Sequence, residues 1–360
     1  MQILVAKDGK VIYDKIFGTQ DIKTKNKLEW NHLYDVASVT KITASIPLIM
    51  KEFEAGNIHF NQTLGELDSQ LKNSNKSNLT VKEVLAHQSG LAPWIGFFKE
   101  TVNTKNARLY LDFYSRKLDD EHQIKVTDNI YIINSIKDSI YDDIKNSPVG
   151  KKKYEYSDLG YYIFQKKIEN DYQQPISTVL QEKFYRPLGM YRTTYNPSEK
   201  FNLNEIVPTA YDKTYRNQLV HGYVHDQGAA MMGGIAGHAG LFSTSIDLAK
   251  LMQMYLNQGF YGGKQYIDPK IINQFTTKQF PTSQRGAGFD KTLTTTIKGA
   301  SSEAYGHFGF TGTMVWADPK HNLIFIFLSN RINVSEEINL LSSKKVRENI
   351  LQAVYDSFLP

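Results

Sequence analysis

Both ends of the 360-residue chain carry a pair of strand-like runs around a turn, and this constrains the fold more than any other feature. At the start, ILVAKDGKVIYDKIFG (residues 3–18) has an Asp-Gly pair between its runs, the strongest short-range hairpin signal. Near the end, GTMVWADPKHNLIFIFLSN (312–330) repeats the arrangement around a turn with Asp, Pro and Asn. The segment after it, SSKKVRENILQAVYDSFL (342–359), has apolar residues at helical spacing and reads as a terminal helix. Between about 61 and 234 the patterns are mostly helical, as in KEVLAHQSG and DNIYIINSIKDSIYDDI, with loops rich in Asn, Lys and Ser. The expectation is an α/β (α+β) protein: an antiparallel sheet flanked by helices, in a discontinuous domain of residues 1–60 and 235–360, with a mainly helical domain, 61–234, inserted.

Composition narrows the possible functions. A hydrophobic fraction of 41% over this length supports a large core, beyond the usual size of one simple core. No run approaches 18 consecutive apolar residues, so no membrane span is expected, and the opening apolar segment is too short for a signal peptide. The absence of cysteine excludes disulfides, a thiolate nucleophile and cysteine zinc sites. The 42 basic and 37 acidic residues are spread along the chain, and the basic run at 151–153 reads as a solvated loop, so no nucleic-acid partner is expected.

Within YDVASVTKITASIPLIM (34–50), Ser38 stands three residues before Lys41. Spacing alone does not decide its role, because Ser69 with Lys72 and Ser342 with Lys345 match the same pattern. Ile42, Ile46, Ile49, Met50 and Phe53 recur at three- and four-residue steps, so a helix with an apolar face is expected from about Ser38. Lys41 then shares a face with Ser38, and the positive end of the helix dipole favours negative charge on the serine oxygen. Ser69 lies in a polar, loop-like stretch, and Ser342 leads the charged terminal helix. The alternative for Ser38 is a helix cap. Pro47 removes a hydrogen bond to Thr43 and should kink the helix.

Two further motifs follow in order: KYEYSDLGYYI (153–163) and YGHFGFTGTMVW (305–316). With the Ser-x-x-Lys they resemble the penicillin-recognising serine hydrolases, namely class C β-lactamases, D-Ala-D-Ala carboxypeptidases and related esterases. LTVKEVLAHQSGL (79–91), FYRPLGM (184–190) and GGIAGHAGLFSTSIDLAK (233–250) extend the resemblance over nearly all of the chain. It implies Ser38 as nucleophile, Lys41 as the neighbour easing its deprotonation and Tyr156 as general base, although the tyrosines of that stretch could also simply pack. A tyrosinate near neutral pH needs a cation to depress its pKa, and Lys41 is expected to be that cation. The resemblance also implies an oxyanion hole of the Ser38 and Phe310 backbone N–H groups, close substrate approach at Gly309, and substrate binding by His307 and Asp158.

Two departures stand out. Phe308 replaces a hydroxyl residue that bonds a substrate carboxylate, and Asp158 replaces an amide-binding asparagine, so Asp158 is free to pair with Lys41. Only His307 is then left to anchor a carboxylate, and the expectation is a poor β-lactamase that prefers small activated esters. The rival expectation is a module that binds D-amino-acid peptides without turnover. His221, His225, Asp226 and His238 suggest a metal site, but the glycines among them argue for a cleft-bordering loop, so no metal and no cofactor are expected. The substrate is expected to be a small molecule or peptidoglycan peptide. The VHDQGAAMMGGIAGHAGLFS stretch is also similar to the β-lactamase-like half fused to some β-N-acetylglucosaminidases, which would make the chain half of a longer envelope enzyme. If it is cut from an exported precursor, the cell envelope is its place; otherwise the cytoplasm stays open.

Overall fold

The structure is a computed structural model that describes residues 1–358, so Leu359 of the expected terminal helix lies outside the described residues. β1 (Gln2–Lys7) and β2 (Lys10–Ile16) form the expected hairpin. Asp8 and Gly9 both have positive φ, 52° and 74°, the left-handed pair that a tight two-residue hairpin turn requires. β3 (Tyr305–Phe308), β4 (Met314–Asp318) and β5 (Leu323–Leu328) complete one antiparallel sheet in the order β3-β4-β5-β1-β2. The chain ends meet where β1 pairs with β5, Gln2 opposite Leu328 and Lys7 opposite Leu323.

Side chains alternate across this sheet, and both faces are covered. Leu4, Ala6, Val315, Ala317, Ile324 and Ile326 join one hydrophobic cluster with Leu248, Leu251 and Tyr255. Ile3, Val5, Met314, Trp316, Phe325 and Phe327 join a second cluster with Leu351 and Tyr355. This explains why β5 reads LIFIFL without polar alternation: a strand buried on both faces has no solvent side to mark. β2 is an edge, with Val11, Ile12 and Tyr13 exposed, and its Lys10, Asp14 and Lys15 work against pairing with another chain.

The helices that matter for the site are α1 (Ile46–Glu54), α2 (Leu159–Tyr172), α3 (Ser245–Leu256) and α4 (Val346–Asp356). The terminal helix is not continuous. A short helix, Leu340–Ser343, precedes α4, and Lys345 between them has φ 48°.

Segment 61–234 holds more strand than its sequence suggests. Tyr114–Ser115, Ile124–Thr127 and Ile130–Ile132 form a small sheet, and Ala210–Asp212 pairs with Gln218–Val220. The run DNIYIINSIKDSIYDDI splits into the strand Ile130–Ile132 and the helix Ile136–Asn146. Two periods sit side by side there: Ile130 and Ile132 are buried on either side of the less buried Tyr131, whereas Ile136, Ile140 and Ile144 are four apart. The cluster on the α3 side of the sheet continues through Leu64, Val84, Ile140 and Phe164 of this segment. Among the described residues no helix is long and apolar enough to cross a membrane.

Candidate active site

The turn carrying Ser38 is irregular, and its neighbours explain why. Ala37–Val39 is a 3₁₀ turn, Lys41–Ser45 is π-helical, and only then does α1 begin. Pro47 has no N–H to give the Thr43 carbonyl, and the wider turn also frees the Ile42 carbonyl. Two buried tyrosines fill both vacancies: Tyr185 Oη donates to Thr43 O (2.9 Å) and Tyr255 Oη to Ile42 O (2.8 Å). Ala37 has φ 48°, a conformation that costs a non-glycine residue on the order of 1 kcal/mol or more. Asp35 secures it by accepting the Ala37 N–H (2.8 Å). The expected helix from Ser38 is therefore a strained turn feeding a helix.

Lys41 is fully buried, and its ammonium contacts three oxygens besides the nearby Tyr156 Oη. Nζ donates to Ser38 Oγ (2.9 Å) and to His238 O (3.1 Å), and it pairs with Asp158 Oδ1 (2.6 Å). The Tyr156 and Tyr161 rings flank it, with centroids 5.0 and 5.3 Å from Nζ. Burial disfavours the ammonium, but Asp158 and Tyr156 outweigh it and hold the pKa above the ordinary lysine value. Burial likewise pushes the Tyr156 phenol up, and Lys41 offsets only part of that. The resting centre is thus a lysine cation beside a neutral phenol, because Asp158 takes up the charge that was expected to stabilise a tyrosinate. Tyr156 Oη is enclosed and makes no hydrogen bond of regular geometry, although Ser38 and Lys41 are its near neighbours.

The loop bearing Tyr156 is held by the HQSG turn. Thr80 and Glu83 form a capping box on the short helix Val81–Leu85, and Glu83 also pairs with Lys152 (2.6 Å). His87 follows with φ 57°. Its carbonyl accepts the Glu155 N–H (2.9 Å), its Nδ1 accepts the Ser157 N–H (3.1 Å), and its ring packs 4.4 Å from that of Tyr156. Nothing in the spacing of the sequence marked His87 as a support for Tyr156.

The third motif leaves the sheet at its other edge. β3 ends at Phe308, and a Cβ on Gly309 would lie 2.5 Å from Val36 O, so glycine is needed there for the chain approaching Ser38. The close approach seen at Gly309 is to the protein's own backbone. Among the described residues the backbone N–H groups of Ser38 and Phe310 make no hydrogen bond, as donors reserved for an oxyanion would. His307 Nδ1–H donates to Phe308 O (2.7 Å), which leaves Nε2 as a bare, enclosed acceptor. Burial, then Arg285 and Lys41, hold its pKa well below the usual histidine range. With Nδ1–H engaged on Phe308 O, the neutral ring of His307 keeps only an acceptor at Nε2.

A cavity of about 590 Å³ joins these groups, lined by Ser38, Tyr156, Asp158, His307, Gly309 and Phe310. It also brings in residues that the sequence did not single out. Arg285 is buried, with Nη2 bound to Tyr154 Oη (2.8 Å) and Asp290 Oδ2 (2.9 Å), while Nε and Nη1 are enclosed without partners. Arg347 of α4 stacks on Phe308 (4.9 Å) and bonds Thr313 O and Ser342 Oγ. Ser342 thus lies on the cavity wall, against the sequence reading that set it apart, while Ser69 and Lys72 are exposed.

The histidine-rich loop does border the cleft, and its side chains are divided among separate partners. His221 bonds Ile206 O (2.6 Å), His225 pairs with Glu336 (2.8 Å), and His238 pairs with Asp226 (3.0 Å).

Two of the buried imidazoles give the site a pH dependence. Burial, then Arg285 and Lys41, depress His87 as they do His307. The folded state binds neither proton, whereas the unfolded chain binds both below its ordinary value of 6.5. Stability is therefore complete above that value and lost as pH falls through it, with a limiting slope of about 1.4 kcal/mol per pH unit for each imidazole. Urea midpoints measured from about pH 7.5 down to 5 should fall steadily, and a flat series would contradict it.

A serine held by lysine at the edge of an antiparallel sheet, with helices on both faces, defines a class of fold, that of the β-lactamases and penicillin-binding proteins. The chain belongs to the β-lactamase family, whose pattern matches residues 1–339; it is a family of serine hydrolases. A protein of Escherichia coli O157:H7, provisionally ascribed D-alanyl-D-alanine carboxypeptidase activity, is 29% identical over 92% of this chain and 78% of its own length. Among solved structures, a penicillin-binding protein homologue from Caulobacter crescentus is similar at TM-score 0.66 with 18% identity, covering 91% of this chain and 86% of that one. The D-amino acid amidase of Ochrobactrum anthropi SV3 is similar at TM-score 0.67 with 17% identity, covering 99% and 93%.

Proposed function

We propose that the protein hydrolyses carboxylate-bearing acyl substrates, such as peptides ending in D-alanine, through an acyl-enzyme on Ser38. The observation that carries this reading is the buried Arg285 guanidinium, which lines the cavity that holds Ser38 and has two enclosed nitrogens without partners among the described residues. Asp290 already neutralises one side of the guanidinium, whose two unfilled donors match a carboxylate. Arg285 supplies a carboxylate anchor where the sequence reading left only His307, and it moves the preference away from small esters. The carboxypeptidase ascribed to the relatives agrees with this choice.

In acylation, Ser38 Oγ attacks the carbonyl carbon while the Ser38 and Phe310 N–H groups receive the developing oxyanion. Each such donor is worth about 3 to 4 kcal/mol of barrier. Tyr156 works as a relay: its oxygen takes the Ser38 proton as its own proton passes to the leaving nitrogen. No tyrosinate is needed, in keeping with the neutral phenol, and Lys41 keeps its charge beside the reacting oxygen.

The test pairs intact-mass spectrometry with a substrate comparison. A fluorophosphonate and a penicillin should each add to Ser38, and neither to Ser38→Ala. Amidating the carboxylate of an acyl-D-Ala-D-Ala peptide should lower kcat/KM by at least about tenfold, the scale of one charge-assisted contact. If capping has no effect and p-nitrophenyl acetate is the better substrate, the small-ester reading replaces this one.

A further inference from the structure

Deacylation needs a base for the attacking water. When the peptide leaves, its nitrogen accepts the proton that Tyr156 hands on. When water attacks the acyl-enzyme, its proton must be taken up while Ser38 Oγ is still bonded to the acyl carbon, and in a stepwise reaction some group holds it until that bond breaks. The neutral phenol of Tyr156 can relay a proton but cannot store a second one.

One group beside the nucleophile can. Asp158 Oδ1 is ion-paired with Lys41 Nζ at 2.6 Å, without regular hydrogen-bond geometry, and the same Nζ donates to Ser38 Oγ at 2.9 Å, so carboxylate and nucleophile share one ammonium. Asp158 lines the cavity, and among the described residues its Oδ2 makes no hydrogen bond. Its backbone is fixed on both sides, the N–H donating to Pro93 O (3.0 Å) and the carbonyl accepting from Tyr161 N–H (3.0 Å) where α2 begins. One carboxylate oxygen is therefore pinned to the catalytic cation while the other is presented to solvent in the cleft.

We infer that Asp158 is the general base of deacylation, a catalytic residue that activates the water through Oδ2. This rests on the acyl-enzyme at Ser38. The water donates one proton to Asp158 Oδ2 as its oxygen bonds the acyl carbon, and the oxyanion is held by the Ser38 and Phe310 N–H groups. Collapse breaks the bond between the acyl carbon and Ser38 Oγ. Oγ takes a proton from Lys41, and Lys41 is restored by the proton stored on Asp158. The product leaves as a carboxylic acid, and all the groups return to their starting states.

The experiment uses Asp158→Asn, which keeps shape and an oxygen for Lys41 but cannot store a proton. With p-nitrophenyl acetate, single-turnover acylation of Ser38 should fall less than about tenfold, while deacylation falls about a hundredfold or more, the usual worth of a general base. Intact mass should then show a larger steady-state fraction of acetyl-enzyme than in the parent protein, with a slower decay. Hydroxylamine, a nucleophile that needs no such base, should restore release in the variant. Equal losses in both steps, or release that hydroxylamine does not speed, would reduce Asp158 to a support for Lys41 and overturn the inference. Unchanged deacylation would overturn it as well. If the parent protein itself never acylates Ser38, the proposed function fails first, so the two failures are distinguishable.

Discussion

Replacing Ser38 with alanine abolishes hydrolysis of every substrate the protein accepts and leaves the fold intact. Among the described residues the side chain makes one hydrogen bond, from Lys41, so its loss removes no core packing. Loss of the nucleophile in a serine hydrolase costs on the order of 10⁶ in kcat. The three Ser-x-x-Lys pairs make an internal control. Ser69→Ala is neutral because both Ser69 and Lys72 face solvent. Ser342→Ala changes kcat/KM by no more than a few-fold, since Ser342 only accepts a bond from Arg347 on the cavity wall. Turnover by folded Ser38→Ala, measured against a no-enzyme blank, would sink the assignment of the nucleophile.

Tyr156→Phe slows acylation about a hundredfold or more at nearly unchanged stability. The hydroxyl is enclosed and forms no regular hydrogen bond, while the ring keeps its packing against His87 and over the Lys41 ammonium. Stability falls little because an unsatisfied buried hydroxyl contributes nothing to the folded state and its removal relieves a desolvation cost. Stopped-flow acylation is the readout. Equal rates for the two proteins would leave Tyr156 as a packing residue and transfer its proton to the Lys41–Asp158 pair.

The contrast between these two positions shows how much of the site the sequence carried. Ser38 and Lys41 lie within four residues on one turn, so local geometry nearly fixes their contact, and the 2.9 Å hydrogen bond follows from the spacing. Tyr156 and His307 are far away in sequence and were found only because they follow Ser38 in a familiar order. Arg285, His87 and Arg347 were not found at all. None stands in a spacing that implies chemistry, and each becomes a site residue only because the fold brings its segment to the cleft.

The sequence by itself determined the two hairpins of the sheet. Hairpins at 1–18 and 312–330 can be read from alternation, Asp-Gly turn chemistry and apolar runs, because strand pairing within a hairpin is a local matter. The resemblance implied that Asp158 could pair with Lys41, and the residue type alone shows that the Phe308 side chain could not bind a carboxylate by hydrogen bonding. Tertiary structure alone decided protonation. A pKa depends on burial and on charges brought together from distant segments, and no residue shows these in its own neighbourhood. Burial holds the Tyr156 phenol up, and Lys41, which Asp158 pairs with, offsets only part of that; burial first, then Arg285 and Lys41, hold His307 down. The turn at Ser38 was decided in the same way. Pro47 announces a missing hydrogen bond, but only the buried hydroxyls of Tyr185 and Tyr255, more than 130 residues further along the chain, allow the backbone to open there without leaving a carbonyl unsatisfied.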